Sequence, residues 1–265
     1  MALMLTIAVL SACGGQKGGS LSEYAAKSES YKNILFEDYV ISLFSETPQR
    51  ALEMQDSTLK AAARDSSALG EMLSLQRNFL YDVNSPYRCE DFYIPVMEAI
   101  IGSPYTSSAE KAEAAGDLPL FKMNPLGTPA ADFTFTVKGG RTKTLYSVRA
   151  DYTLLFFSNP GCQNCKEITD RLSAIGAIDA LMADGTLAIV NIYPDDDIEA
   201  WYDYVAEYPS AWTSGYAPEV DDPGEGVYNL RAIPTLYLLD REKRVIQKDA
   251  PLERILSYLE NAIHS

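Results

Sequence analysis

Two cysteines one helical turn apart are the residues of this chain best suited to chemistry. The sequence Cys-Gln-Asn-Cys at 162–165 directly follows the apolar run 154–157 and opens a predicted helix. Unpaired backbone N–H groups and a partial positive charge at a helix N-terminus stabilise a thiolate. One turn of helix brings two such sulfurs close enough to bond. The spacing therefore predicts thiol–disulfide exchange, with Cys162 as the attacking sulfur and Cys165 as the resolving thiol.

The same pair allows two other interpretations, half of a zinc site or an inert structural disulfide. Zinc takes four ligands, which usually include a second pair of Cys or His residues. No second pair is present, since the one histidine is His264 and Cys89 stands alone far upstream. Redox chemistry is therefore favoured, and neither a metal nor another cofactor is expected. For Cys89, a partly buried bystander is favoured over a third redox partner.

A second motif lies downstream, where Arg-Ala-Ile-Pro-Thr at 231–235 leads into the apolar run 236–239. Together the two motifs resemble those of the thioredoxin superfamily, in which an Ile-Pro-Thr step carries a cis proline that faces the cysteine pair. The resemblance implies that Ile233, Pro234 and Thr235 bind substrate. The backbone of Ile233 would pair with an extended substrate peptide, while Pro234 has no N–H of its own.

The elements that position these motifs follow from the apolar pattern. Apolar runs predict strands and apolar residues at helical spacing predict helices, in the order strand 152–158, helix 162–182, strand 186–193, helix 198–208, hairpin 235–239 with 245–248, and helix 251–263. This order implies a mixed sheet with flanking helices. A lead-in at 129–133 and the hairpin after it are similar to the extension of the membrane-anchored, TlpA-like branch of the superfamily. The predicted fold class is therefore an α/β thioredoxin-like domain with an N-terminal β-hairpin extension.

Three features depart from the thioredoxin pattern. Thioredoxin encloses Gly-Pro between its cysteines, whereas this chain has Gln-Asn at 163–164, so the direction of electron flow stays open. Thioredoxin keeps a buried acid six residues before the first cysteine, where this chain has Phe156, so no proton acceptor for Cys165 is identified. Residues 209–230 exceed the usual connection length and form either a substrate-specificity loop or a surface excursion.

The N-terminal residues indicate where in the cell the protein is located. Residues 1–12 are uncharged and mostly apolar and lead into Leu-Ser-Ala-Cys-Gly at 10–14, which resembles the lipobox of bacterial lipoproteins. The resemblance implies a signal peptide over 1–12, lipidation of Cys13 and a lipidated tether over 13–20. Since the apolar stretch is too short to span a membrane, the membrane contact would come from the lipid. The expected location is the cell envelope, lipid-anchored and facing the periplasm, and the alternative is an ordinary apolar N-terminal tail.

An all-α helical domain is predicted over 21–116. Thr47-Pro48 favours a helix start, Ser107 with Glu110 matches a capping box, and a helix over 91–101 is expected to be interrupted near Pro95. This layout resembles the uncharacterised helical domain that precedes thioredoxin-like domains in Bacteroidetes-type lipoproteins. A linker over 117–130 then joins it to the thioredoxin-like domain over 131–265.

Charge and composition limit the kinds of partner that this chain could bind. The net charge of −15, without a basic cluster, argues against nucleic acid, whose phosphates would be repelled. The expected partners are protein thiols or disulfides as substrates and a redox donor protein. The leading prediction is a membrane-anchored thiol–disulfide oxidoreductase. The alternative is a partner- or glycan-binding surface lipoprotein whose thioredoxin-like domain is a redox-inactive scaffold.

Overall fold

The computed structural model of this chain describes residues 29–263. Cys13, the predicted signal peptide and the predicted tether lie outside the described residues. The chain divides into two compact units between Lys122 and Met123. Across the described range, no helix combines the length and the apolar character that a membrane crossing requires.

The first unit is helical, as the sequence predicts. Three of its helices have an N-cap side chain that accepts a hydrogen bond from the backbone N–H three residues later. These N-cap residues are Thr47, Asp65 and Ser107. Ser107 and Glu110 form the predicted capping box. The elements are α1 (Glu29–Phe44), α2 (Pro48–Ala62), α3 (Ser66–Gln76), a π-helical turn (Arg77–Tyr81), α4 (Glu90–Gly102) and α5 (Ser108–Phe121).

Two prolines lie inside these helices. Helix α4 runs through Pro95 without the expected interruption, because the packing of its buried face offsets the backbone bond that the proline removes. Helix α5 likewise continues past Pro119 into the segment predicted as linker. The buried Phe121 ring at its end packs against Tyr81 and Tyr93, and these contacts hold the last turn.

A buried amide cluster ties the helices of the first unit together. Gln55 donates to the Gln76 side chain at 2.9 Å and to the Phe92 carbonyl at 2.8 Å. Its own carbonyl accepts from the Tyr39 hydroxyl at 2.7 Å and from Gln76 at 2.8 Å. Because every bond joins residues far apart in sequence, the cluster fixes how α1, α2, α3 and α4 pack.

The second unit is a mixed sheet with flanking helices, which confirms the predicted fold class. Its strands are β1 (Thr134–Val137), β2 (Thr142–Thr144), β3 (Tyr152–Phe157), β4 (Leu187–Tyr193), β5 (Thr213–Tyr216), β6 (Thr235–Leu239) and β7 (Val245–Gln247). Its helices are α6 (Gln163–Ala174), α7 (Gly176–Ala183), α8 (Ile198–Tyr204) and α9 (Leu252–Ile263). The strand order is β2-β1-β5-β4-β3-β6-β7, with β4 parallel to β3 and β5 and the remaining pairs antiparallel.

Strand β3 is an interior strand of this sheet, between β4 and β6. Its side chains alternate between two buried clusters, with Leu155 and Phe157 on one face of the sheet and Leu154 and Phe156 on the other. Because both faces are covered, β3 reads as a continuous apolar run rather than an alternating one. The strand ends directly before the loop that carries the cysteine pair.

The second unit differs from the sequence-based expectation at its first helix and in the segment 209–230. The helix predicted over 162–182 is two helices, because Ile175 is extended (φ −93°, ψ 97°) and α7 starts afresh at Gly176. The segment 209–230 contains β5, which pairs with both β4 and β1. That part of the predicted insertion is therefore an interior strand of the sheet, not a surface excursion.

Candidate functional site

The cysteine pair lies at the start of α6, just beyond the end of β3. Gly161, with φ +78°, makes the turn into the helix. Cys162 is the N-cap, and its sulfur accepts a hydrogen bond from the Cys165 backbone N–H at 3.2 Å. Both cysteines are free thiols; Cys162 is half-buried and Cys165 is buried. The first thiol is thus open to a substrate and the second is withdrawn behind it.

The Ile233–Pro234 peptide bond is cis, and the loop that carries it faces the first cysteine. The Cys162 thiol donates to the Ile233 carbonyl oxygen at 3.9 Å. Thr235 opens β6 opposite Phe157, is buried, and donates its hydroxyl to the Ala232 carbonyl at 2.6 Å. The structure therefore brings Cys162 and Ile233 together, while the Thr235 side chain is engaged within its own loop.

An ion pair anchors the same loop to the unit. Arg231 lies 2.8 Å from Asp249, and the two side chains are 11% and 9% exposed. Pairs that are this well shielded from water depend on both partners, because each charge alone is costly to bury. The loop that presents Ile233 is thus tied to the segment between β7 and α9.

Burial governs the second cysteine. It raises the pKa of the Cys165 thiol, and the hydrogen bond with Cys162 raises it further, whereas the backbone N–H of Asn159 acts in the opposite direction. Apolar side chains, among them Phe156 and Leu172, belong to the buried cluster that holds it. Cys165 is therefore a protonated thiol at neutral pH and must lose its proton before it can attack.

A cavity of about 220 Å³ opens beside Cys162. Its lining includes Gln163 and Lys166 from the first two turns of α6, and Tyr204 and Tyr208 at and after the end of α8. The cavity offers a substrate room next to the exposed sulfur.

A polar group that sequence reasoning missed lies near this cavity. Ser158, at the end of β3, donates to the Asn191 side-chain oxygen at 2.5 Å, and its hydroxyl lies 3.0 Å from that of Tyr208. Ser158 and Asn191 are fully or nearly fully buried. The available signal was a lone amide, Asn191, within the apolar run 186–193, because a buried polar residue is more informative than an exposed apolar one.

The other predicted or candidate residues lie elsewhere. Cys89 is buried in the first unit, at the start of α4. Within residues 29–263, no group of three or more His, Cys, Asp or Glu side chains is arranged to hold a metal ion. Cys13 falls outside the described residues.

Comparisons with known proteins give relatives for each part of the chain. Residues 24–124 match the model of a domain of unknown function, DUF5106. A thioredoxin-like protein from Bacteroides caccae of known crystal structure is 36% identical, with a TM-score of 0.76, and the match covers 89% of this chain and 84% of that chain. No curated protein matches the chain.

Two further solved structures match one part of the chain. The C-terminal domain of an uncharacterized protein from Bacteroides fragilis is 43% identical, with a TM-score of 0.49, over 52% of this chain and 98% of that chain. The thioredoxin domain of a thiol-disulfide oxidoreductase from Bacteroides vulgatus is 21% identical, with a TM-score of 0.45, over 52% of this chain and 96% of that chain.

Proposed function

Because this chain belongs to the thioredoxin-like proteins, we propose that it is a thiol–disulfide oxidoreductase that acts on protein thiols or disulfides. The observation that carries this proposal is the arrangement of the cysteine pair. A half-buried thiol caps a helix, a buried thiol lies one turn behind it, and the Ile233 carbonyl approaches the first sulfur at 3.9 Å. A static structural disulfide has no need of an accessible sulfur beside an open cavity.

The proposed reaction proceeds through two exchanges. The Cys162 thiolate attacks a substrate disulfide, which forms a mixed disulfide and releases the other substrate sulfur as a thiolate. Cys165 then attacks the Cys162 sulfur, so that the bond between the two cysteines forms and the second substrate sulfur leaves. Two electrons pass from the cysteine pair to the substrate, and a redox donor protein restores the dithiol.

The backbone around the cis peptide supplies the substrate surface in this proposal. The Ile233 carbonyl would accept a backbone N–H from an extended substrate segment, which holds the substrate cysteine over Cys162. Pro234 carries no backbone N–H, so it adds no hydrogen-bond donor that would compete with the substrate for nearby acceptors. Thr235, whose hydroxyl donates a hydrogen bond to the Ala232 carbonyl, would stabilise the conformation of the loop that carries the cis peptide bond.

We also propose a TlpA-like, envelope-facing role. The lipobox-like segment around Cys13 supports a lipid anchor, and an anchored chain would act on the periplasmic side. Removing the acyl chain by Cys13→Ser should move the protein from the membrane fraction to the soluble fraction of cells that express it. Retention in the membrane would exclude the anchor.

Single cysteine variants test the enzymatic proposal. The reduced full chain is incubated with a peptide disulfide, and the products are counted by mass. Cys162→Ser should abolish exchange, and Cys165→Ser should accumulate a mixed disulfide at Cys162, because the resolving thiol is gone. Cys89→Ser is the matched control and should exchange as the parent does, since Cys89 is buried in the other unit.

The outcome also separates this proposal from the scaffold alternative. Absence of a trapped mixed disulfide in Cys165→Ser would favour the partner- or glycan-binding lipoprotein. Where exchange occurs, equilibration against graded thiol buffers gives its direction. A reduction potential of about −270 mV marks a reductase, and one of about −120 mV marks an oxidant.

A further inference from the structure

Cys165 must lose its proton before it can resolve the mixed disulfide. Its thiol is buried among apolar side chains such as Phe156 and Leu172, and a thiol reacts as its thiolate. Phe156 faces the same cluster as Cys165, so this strand position supplies no acid or base. The proton must leave through another polar group that reaches into the cluster.

Tyr208 is placed to be that group. Its ring packs against the cluster that contains Cys165 and stacks on Trp212 at 6.5 Å between centroids. It also lines the cavity beside Cys162. Burial raises the pKa of the Tyr208 phenol, and the hydrogen bond with Ser158 acts in the opposite direction. The phenol thus carries its proton at neutral pH.

Two buried side chains hold the phenol in place. The Ser158 hydroxyl is committed as a donor to Asn191, so its oxygen is left to accept from Tyr208 at 3.0 Å. Asn191, through the hydrogen bond that it accepts from Ser158, fixes the orientation of this hydroxyl toward the phenol. Three polar groups from β3, β4 and the segment after α8 thus satisfy one another under an apolar core, where an unpaired polar group would be costly.

We propose that Tyr208, positioned by Ser158 and Asn191, is the proton-transfer residue for Cys165. This inference rests on the proposed function. As Cys165 attacks the Cys162 sulfur of the mixed disulfide, its proton passes to the phenol oxygen, and the phenol proton passes to the departing substrate thiolate. One S–S bond forms, one breaks, and the net proton transfer is from Cys165 to the substrate sulfur. In the opposite direction of electron flow, the same phenol protonates the leaving Cys165 thiolate.

The surroundings of Tyr208 bear on the pH dependence of this step. The other titratable side chains on the shared cavity are Cys162, Lys166, Asp170, Tyr204 and Glu207. Lys166 and Asp170 pair at 2.6 Å and are exposed. Tyr202 is the matched control for Tyr208, because it is a nearby tyrosine on α8 that lies outside the lining of this cavity and is 46% exposed.

The test separates the two exchanges in time. The full chain, as a Cys13→Ser and Cys89→Ser variant, is reduced and mixed rapidly with 5,5′-dithiobis(2-nitrobenzoic acid). Attack by Cys162 releases one coloured thiolate and attack by Cys165 releases a second. Because this leaving group is weakly basic and departs unprotonated, the phenol passes its proton to solvent at the cavity that Tyr208 lines, and the second release reports deprotonation of Cys165 itself.

Tyr208→Phe should leave the first release unchanged and slow the second by about 100-fold at pH 7, the lower end of the range for general acid–base catalysis. The deficit should shrink as pH rises, because hydroxide replaces the lost phenol. Tyr202→Phe should match the parent in both releases. Ser158→Ala keeps the phenol but removes an anchor, and a smaller slowing of the second release is expected.

The results distinguish this inference from the proposed function. A second release in Tyr208→Phe within threefold of that in Tyr202→Phe from pH 6 to pH 9 overturns the inference alone. A parent chain that gives no second release overturns both. Should Tyr208→Phe not fold, Ser158→Ala decides, and an unchanged second release in that variant also overturns the inference.

Discussion

Neutralising Asp249 tests whether the loop carrying the cis peptide depends on a buried charge. In the Asp249→Asn variant the side chain keeps its shape, but Arg231 loses a carboxylate that lies 2.8 Å away. Removing one partner of a buried ion pair typically costs about 3–5 kcal/mol, because the remaining charge stays out of water. Both side chains are about nine-tenths buried, so we expect a loss near the lower end, about 3 kcal/mol, in the free energy of unfolding of the second unit.

Tryptophan fluorescence measures that unit within the intact chain. The two tryptophans of the sequence, Trp201 and Trp212, both lie in the second unit. A unit of this size has a urea dependence of roughly 1.5–2 kcal/mol per molar. A loss of about 3 kcal/mol therefore lowers the urea midpoint of the fluorescence transition by about 1.5–2 M.

An exposed pair in the same unit is the control. Arg241 lies 3.6 Å from Asp151, with side chains 77% and 55% exposed, and Asp151→Asn should move the midpoint by less than about 0.3 M. Adding Arg231→Met to Asp249→Asn removes the buried positive charge as well and should restore part of the loss. If Asp249→Asn behaves like Asp151→Asn, the buried-charge argument is wrong.

Three further variants probe packing, the helical unit and pH. Gly215→Ala places a methyl group against the Phe135 ring and should cost about 1–3 kcal/mol, seen as a lower urea midpoint by tryptophan fluorescence. Gln55→Leu removes four buried hydrogen bonds and takes a partner from the Tyr39 hydroxyl and from the Gln76 side chain, so about 3–4 kcal/mol should be lost from the helical unit, measured by far-UV circular dichroism. Burial raises the pKa of Tyr193 to about 12, against about 10 in an unfolded chain. Its stabilisation is present below pH 10 and is lost as pH rises through 12, so Tyr193→Phe should flatten the fall in stability over that interval.

Local patterns were sufficient for much of the second unit. The apolar runs at 152–158 and 186–193 predicted β3 and β4, because a strand covered on both faces is apolar throughout. The spaced apolar residues of 251–263 predicted α9 for a similar reason, since one face of that helix is buried. In each case the information lies within the segment itself.

Strand β5 shows where local patterns fail. Its sequence, Thr-Ser-Gly-Tyr, has neither an apolar run nor a clear alternation. It becomes a strand because β4 and β1 offer their edges to it, and Gly215 fits because the Phe135 ring occupies the space where a side chain would go. Both causes lie far away in sequence, so residues 209–230 could only be recognised as longer than an ordinary connection.

The polar group around Tyr208 extends the same reasoning from the fold to the chemistry. Counting back from Cys162 finds Phe156 where an acid would stand, and that count leaves Cys165 without a proton acceptor. In the structure, polar groups come instead from β4 and from the segment after α8, 26 and 43 residues beyond Cys165. A proton-transfer group needs to reach the sulfur in space and not at a set offset along the chain. A missing residue at the expected offset is therefore a reason to search the buried polar side chains, not evidence that the chemistry is lost.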